Sequence, residues 1–410
     1  MHGLAGDRIG LQERGGGMLD NGQGRQGRQG GRRLKVAVVG ASMSTAPGHH
    51  QRFAVRAHLP ALLALPGMFE VVATCTTTQA TAQAAADHFG VPRAFDSVPR
   101  MLAELPDIDV VCVSVRPVAQ HEVVMQALAA GKHVYCEHPF GVSLAQAREM
   151  ATLARERRLC TVVGHEHHYE PAMLEMAARI RSGYIGEPLN FGITFFNSGM
   201  IAPQKNARPW LNQAEMGGPQ AWRTGHSLER VIAALGDIEA VCADMKVISP
   251  HQHQPGREVI TQTNNINLLL KTRSGAIGSM QVCLTAWFGT GWTFQVYGTR
   301  GMLMIREEGM ERKSTVKGDP KAGHAVLYGA CDQDSAPQPI TPAAAHCTVQ
   351  GLDPVSTTFP VAQTWHALGR AILGGEPCSP SFEDEVKIHR IWEAVARSAE
   401  RRAWETLPQA

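Results

Sequence analysis

Nine cysteines are scattered over 410 residues without a CxxC pair, so neither a zinc framework nor a disulfide scaffold is expected, and the thiols read as reduced core residues. No apolar run is long enough to span a bilayer, and no hydrophobic signal-peptide core stands near the first residue. The expectation is a cytoplasmic protein with no membrane partner. An excess of one charge is lacking too: 39 Lys and Arg face 37 Asp and Glu, for a net +2, so nothing draws the chain toward nucleic acid. Aromatic residues make up only 6%, and no internal repeat is found. What is present is a 44% hydrophobic content, enough for a large core and about two to three domains. A small molecule is the default partner. Residues 1–32 are dominated by Gly, Arg and Gln, a composition that cannot bury enough apolar area to offset ordering, and are expected to be a disordered extension.

Order begins with the run Leu34 to Val39, closed by Gly40, as a buried parallel strand enters a turn. A helix is expected over 53–65, a strand over 69–75, and an Ala-rich helix over 79–89 that stops at Gly90. A strand over 107–115, a helix over 121–130, a strand over 132–136 and a helix over 144–157 follow. Such alternation predicts a doubly wound parallel sheet, a Rossmann domain over 33–160. Beyond Gly164 a helix over 171–182 precedes longer strands of period two: 189–196, 240–248, 265–272, 276–285, 293–298 and 302–307. These predict a second α+β domain over 161–410 with a large, mainly antiparallel open sheet. Residues 313–354, rich in Gly, Pro and Ala, are expected to be a long loop or insertion, and helices over 362–373 and 382–401 close the chain. The fold class is α/β.

A glycine closing the first strand of a βα series lets the backbone turn beneath a pyrophosphate. Gly40, Ala41 and Ser42 are therefore expected to touch a dinucleotide, although Ser42 and Thr45 stand where a GxGxxG loop would carry glycine. After the second strand, where an acid would bond the ribose of NAD, the chain reads Cys75-Thr76-Thr77-Thr78. Thr76 and Thr77 are assigned to the cofactor. With no carboxylate to repel a 2′-phosphate, NADP is allowed and slightly preferred over NAD. Arg116 and Pro117, at the carboxyl edge of the third long strand, are assigned there too.

Several separated segments, VAVVGAS, AGKHVYCEHPFGVSLAQAREM, VGHEHHYEPAMLEM, RSGYIGEPLNFGITFF, MGGPQAWRTGHSLERVIAALGD and SFEDEVKIHRIWEAVARSAERRAWETL, together resemble the Gfo/Idh/MocA oxidoreductases. The run RAHLPALLALPGMFEVVATCTTT is more similar to the branch containing the fungal galactose-regulon repressor. The resemblance implies a Glu-Lys-Pro motif beside the nicotinamide, read here as Glu137-His138-Pro139. It implies an Asp-x-Gly-x-His motif, read as Trp222-Arg223-Thr224-Gly225-His226. It also places His121, or its neighbour Gln120, on the nicotinamide side. His226 is the expected base, since histidine accepts a proton near neutral pH without tuning. His138 would take over the lysine's part, and Glu137 would steady the cofactor or orient its neighbour. His167, His168, Trp222 and Arg223 are expected to line the substrate pocket. His165, His167 and His168 lack an accompanying carboxylate pair, so no metal is expected. With Lys205, Arg208 and four tryptophans (Trp210, Trp222, Trp287, Trp292) nearby and few acids besides Glu137 and Glu166, a carboxylated ring is favoured.

The expected function is an NAD(P)-dependent dehydrogenase acting on a CH–OH or dihydrodiol group of a cyclic hydroxylated compound. The substrate would be a sugar or inositol derivative, or a dihydrodiol of an aromatic acid such as dihydroxy-dihydrophthalate. The competing expectation is a dinucleotide-sensing regulatory protein of the repressor-like branch, in which His138 and His226 line a pocket without chemistry. A homodimer or homotetramer is implied by the resemblance.

Overall fold

The computed structural model describes residues 32–43, 52–198, 200, 212–218, 223–248, 260–308 and 324–409. The expected disordered extension lies outside these apart from Arg32, as do Thr45, Lys205, Arg208, Trp210 and Trp222. Residues from Arg33 onward form one compact unit, in which two sheets meet.

The first sheet is parallel. Its strands are β1 (Leu34–Val39), β2 (Phe69–Cys75), β3 (Arg93–Phe95), β4 (Val110–Val113), β5 (His133–Glu137) and β6 (Thr161–Gly164), in the order β3-β2-β1-β4-β5-β6. The reversal of strand order between β1 and β4 opens the crevice where such sheets take ligands. All four residues of β4 are buried, as a strand covered on both faces requires. The sheet runs to Gly164, one strand past residue 160, where the domain boundary was expected.

Helices cover it. α1 (Leu59–Leu63) is entered through a π-helical turn, Ala54–His58. α2 (Gln79–Phe89) is capped by the Thr78 side chain and ends at left-handed Gly90. α3 (Val98–Glu104), α4 (Pro117–Ala129) and α5 (Leu144–Glu156) follow. α4 begins four residues before the expected His121, because proline pre-sets φ for the first helical position. α3 and β3 were not expected; each is short and carries little periodic signal.

The second sheet has nine strands: β7 (Pro188–Phe196), β8 (Ile238–Lys246), β9 (Asn265–Thr272), β10 (Ile277–Cys283), β11 (Gly291–Gly298), β12 (Gly301–Glu308), β13 (His324–Cys331), β14 (Gln338–Ile340) and β15 (Glu405–Thr406). Their order is β14-β13-β12-β11-β7-β10-β9-β8-β15, antiparallel throughout except for the parallel pair β7 and β10. β13 and β14 fall within residues 313–354, expected to be a long loop or insertion, and show that this stretch adds two strands to the sheet. Within β13, only Leu327 and Gly329 of the residues from 325 on are buried, so backbone pairing rather than apolar alternation holds this edge.

One face of the sheet is covered by α6 (Pro171–Arg181), α7 (Arg223–Leu235) and α9 (Phe382–Arg401), through Met176, Leu228, Val231, Ile391 and Trp392 among others. Leu189, Leu269 and Ile277 are about half exposed, at 52%, 52% and 53%. α8 (Thr358–Gly374) packs instead against the first sheet, with Trp365 fully buried. α9 serves both cores: Phe382 and Val386 pack with Phe140 and Met150, while Ile388 and Ile391 lie over the second sheet. Residues between these contacts are thereby carried into the junction of the two sheets. No helix among the described residues is long and apolar enough to cross a membrane.

Candidate active site

The carboxyl edge of the first sheet begins at Gly40. Its φ is +97°, and a Cβ placed there would collide with the Ser114 carbonyl, so glycine is needed twice over. Glycine there lets the end of β1 turn tightly against the Ser114 backbone at the β1/β4 crevice, the kind of turn that runs beneath a dinucleotide diphosphate. Ala41 is buried and Ser42 half-buried. Thr76 bonds Thr81 Oγ1 at 2.7 Å and the Thr78 carbonyl at 2.9 Å, inside the cap of α2. Thr77 is exposed. Arg116 is the exposed N-cap of α4 and Pro117 its first residue.

Of the neighbours Gln120 and His121, it is Gln120 that faces inward. Its amide donates to the Glu137 carbonyl at 2.8 Å and accepts from the Gly141 N–H at 2.7 Å. His121 turns outward to Glu149, 2.7 Å away, and does not join the residues assigned to the cofactor.

Glu137, the last residue of β5, meets a partner the sequence did not disclose. His58 Nε2 lies 2.8 Å from Glu137 Oε1, and Trp365 Nε1 lies 3.1 Å from His58 Nδ1. An indole N–H can only donate. His58 therefore accepts at Nδ1, carries its hydrogen on Nε2 and donates it to the carboxylate. Tyr135 and Trp365 stack at 4.8 Å beside this ring. Burial raises the pKa of Glu137, with His58 opposing it. A Cβ on Gly164 would strike the same carboxylate, so β6 must carry glycine there.

Next to it lies a cluster of imidazoles. His138 follows β5, linked to Pro139 by a cis peptide bond; His165 follows β6; His226 stands in the first turn of α7. The ring centres of His138 and His226 are 4.7 Å apart, and those of His138 and His165 are 4.3 Å apart. His165 Nδ1 is 3.1 Å from His226 Nδ1. Behind them is Glu385 from α9, fully buried, with Oε2 2.7 Å from His165 Nε2 and Oε1 3.3 Å from His138 Nδ1. Burial opposes ionisation of Glu385, but His165 and His138 outweigh it and hold the carboxyl well below its usual range. Burial likewise opposes a charge on His165, and Glu385 overcomes it, raising that pKa. For His226, burial and then His138, His165, His167 and Arg230 all push the pKa down, leaving a neutral ring. Ligand atoms of His138, His165 and Glu385 lie within 4.8 Å of one another. The 2.7 Å contact is nevertheless a hydrogen-bond length, shorter than the separation of roughly 3.3 Å between ligands at about 2.0 Å from a tetrahedral zinc.

The pocket-lining expectations fare differently. His167 Nδ1 pairs with Glu170 at 2.7 Å and His168 Nδ1 with Glu229 at 2.6 Å. Buried Arg230 lies 3.8 Å over the Trp292 ring and near Glu170 and Glu307, while Trp292 donates to Ser227. Acids are thus not scarce here, and these basic groups meet carboxylates of the protein itself. Trp292 is a packing residue, and Arg223 is the first residue of α7.

One consequence concerns stability. His133, His226, His366 and His389 are all held below the ordinary histidine pKa, chiefly by burial. Below about pH 6.5 the unfolded chain therefore binds more protons than the folded one, and stability present above that pH is lost as it falls, by up to roughly 1.4 kcal/mol per pH unit for each such group. His165 acts oppositely: its contribution is complete below the ordinary value and lost as pH rises through its raised folded value. Four histidines against His165 and the raised carboxyl of Glu137 predict a Tm that falls between about pH 7 and about pH 5 in scanning calorimetry. A Tm that holds or rises would contradict these protonation states.

Residues 34–165 match the oxidoreductase family described as an NAD-binding Rossmann fold, and residues 173–304 match the GFO/IDH/MocA C-terminal domain. The dehydrogenase aclE of Aspergillus oryzae is 29% identical over 221 residues, 53% of this chain and 59% of that protein. The chain thus spans less than two thirds of that relative. The 1,5-anhydro-D-fructose reductase of Ensifer adhaerens is 31% identical over 242 residues, 58% of this chain and 68% of that one. Among solved structures, a levoglucosan dehydrogenase in complex with NADH and levoglucosan superposes with a TM-score of 0.76 at 22% identity, covering 92% of this chain and 100% of the other. At that identity the likeness is one of fold.

Proposed function

The chain belongs to the Gfo/Idh/MocA oxidoreductase family, and from that membership we propose that it transfers hydride between a nicotinamide dinucleotide and a ring hydroxyl of a small cyclic polyol. The carrying observation is the 4.7 Å approach of His138, at the carboxyl end of the first sheet, to His226, on a helix of the second. Oxidising an alcohol requires a base at the hydroxyl. His226, neutral through burial and half-buried rather than sealed, has the protonation state for that task. His138, its ring 1% exposed, packs against His226 and positions it. Glu137, fixed by His58, shapes the floor beside it.

The tight glycine turn at Gly40, which closes the first strand at the crevice, is the reason for expecting a diphosphate there, with Ala41, Ser42, Thr76, Thr77, Arg116 and Pro117 around it. When bound, the coenzyme supplies the hydride acceptor or donor. Because His167, His168 and Arg230 are met by Glu170, Glu229 and Glu307, a neutral sugar or inositol ring suits the site better than a carboxylated dihydrodiol. The relative named for 1,5-anhydro-D-fructose supports the same choice.

The test is calorimetry with NAD and with NADP, followed by a screen of levoglucosan, 1,5-anhydro-sugars, myo-inositol and a phthalate dihydrodiol, read at the reduced-nicotinamide band. Binding of either coenzyme with turnover of a neutral ring is expected. No heat from either coenzyme would end the proposal. Gly40→Ala should weaken coenzyme binding about tenfold or more, because a side chain at that φ costs about 1–3 kcal/mol and displaces the Ser114 carbonyl. An unchanged Kd would remove the diphosphate from this turn. The exposed apolar residues Leu269 and Ile277, which share the uncovered face, lead to a further expectation, a homodimer or homotetramer closed through the open sheet face. Sedimentation of a purely monomeric species at micromolar concentration would contradict it.

A further inference from the structure

A buried carboxylate touching two imidazoles needs a reason, and the bonding chain behind His226 supplies one. Glu385 Oε2 meets His165 Nε2, and His165 Nδ1 meets His226 Nδ1. The side chains of Glu385 and His165 are both at 0% exposure, whereas His226 is only half-buried. A continuous line of polar atoms thus runs from the sealed junction of the two sheets to the ring that faces the proposed substrate.

Two nitrogens facing each other at 3.1 Å share one hydrogen, since a bond between two lone pairs or two N–H groups is impossible. With the other nitrogen of His165 donating to Glu385 and His226 kept neutral by its surroundings, two arrangements satisfy every contact. In one, the shared hydrogen sits on His226 Nδ1, His165 is neutral, and His226 Nε2 offers a lone pair. In the other, it sits on His165 Nδ1, His165 is an imidazolium against the Glu385 carboxylate, and His226 carries its hydrogen on Nε2.

We propose that Glu385, His165 and His226 form a two-step proton relay, in which His165 stores as a buried imidazolium the proton that His226 takes from the substrate hydroxyl. This rests on the reading of His226 as the base. During oxidation the substrate O–H bond breaks and a bond to His226 Nε2 forms. The Nδ1–H bond of His226 then breaks as one to His165 Nδ1 forms. The electron pair left on oxygen makes the carbonyl as hydride departs to the coenzyme. Reduction runs the same exchanges backward. Glu385 and His165 act through His226 and touch no substrate.

The surrounding charges favour transfer in this direction. Facing His165 are Glu385 from α9, Glu229 from α7 and Glu166 from its own segment, all raising its proton affinity against the cost of burial. His226 is disfavoured as a cation by burial, by His138, His165 and His167, and by Arg230 one turn along α7. His389, also on α9 and near Glu385, engages the Phe140 carbonyl at 2.8 Å and is held below the ordinary histidine pKa by burial. A proton abstracted by His226 therefore moves inward rather than resting where it was taken.

The experiment is nitrogen NMR of the full chain labelled at histidine, without substrate or coenzyme, assigned by the signals lost in His165→Asn and His226→Asn. Near neutral pH the expected spectrum shows the loaded relay, His165 protonated on both nitrogens and His226 on Nε2 alone, the form from which reduction starts; oxidation starts from the unloaded form reached as pH rises. As pH rises, His165 loses a proton and the Nδ1 hydrogen appears on His226 at the same midpoint. In Glu385→Gln the proton affinity of His165 drops about tenfold or more. A His165 that stays neutral throughout, a Glu385→Gln midpoint equal to wild type, or equimolar zinc in the purified protein would each overturn the relay. Should Glu385→Gln not fold, the wild-type spectrum still decides. Coenzyme calorimetry tests the dehydrogenase reading separately: coupled histidines in a protein that binds neither NAD nor NADP would end that reading without disturbing the NMR result.

Discussion

Changing His226 to Asn is expected to lower kcat about 10²–10⁴-fold, the usual worth of a positioned acid or base, while leaving the Kd for the coenzyme near its wild-type value. The reason is the placement of the ring. His226 projects from α7, an element of the second sheet's cover, whereas the turn at Gly40 belongs to the first sheet. Asparagine keeps a polar group near His165 but has no atom that binds a proton at neutral pH. The check is paired: single-turnover rates with whichever neutral ring compound is active, and calorimetry with its coenzyme. If coenzyme affinity falls together with rate, His226 supports the fold and not the proton. If the rate stays within a few-fold, another group is the base, with His138 next in line from its 4.7 Å distance.

How much of this could be read from the sequence depends on whether the physics was local. The first sheet was legible because strands buried on both faces become unbroken apolar runs, as in Val110–Val113, and because Thr78 and Gly90 bracket α2 with a cap at each end. β9 was equally clear, its burial alternating residue by residue. β13 was not, since a strand one removed from the sheet's edge, with only Leu327 and Gly329 buried among residues 325–331, leaves little side-chain pattern. The same divide runs through the site. Gly40, Glu137, His138 and His226 stood in segments whose order along the chain carried the family resemblance. The choice between Gln120 and His121 depended on the phase of α4, which Pro117 sets and which a helix begun at residue 121 hides. His58 gave no signal, being a single imidazole in an apolar helix whose partners lie 79 and 307 residues away. Glu385 was concealed by its company. It follows Glu383 and Asp384 in the first turn of α9, where acids are ordinary complements to the helix dipole. Only the packing of that helix against both sheets shows that one of the three acids is sealed inside.

That sealed carboxylate leads to the largest expected loss of stability. Glu385→Ala should destabilise the fold by about 3–5 kcal/mol, because it leaves His165 and His138 in a dry junction without the anion that balances them. His165→Ala should cost a similar amount for the mirrored reason, an unpaired buried carboxylate. The double variant tests the physical cause. A cavity shared by contacting residues also breaks additivity, but that coupling does not depend on pH. The charge coupling vanishes once His165 loses its proton, so the cycle is repeated above the His165 midpoint. If they come from charge left uncompensated, removing both partners removes the penalty, and the double variant should be more stable than the sum of the singles predicts by about 0.5–3 kcal/mol. Urea denaturation at neutral pH measures all four corners of the cycle. Additivity within about 0.5 kcal/mol would mean that Glu385 and His165 pack without an ion pair between them, and the proton held at the junction of the two sheets would lose its anchor.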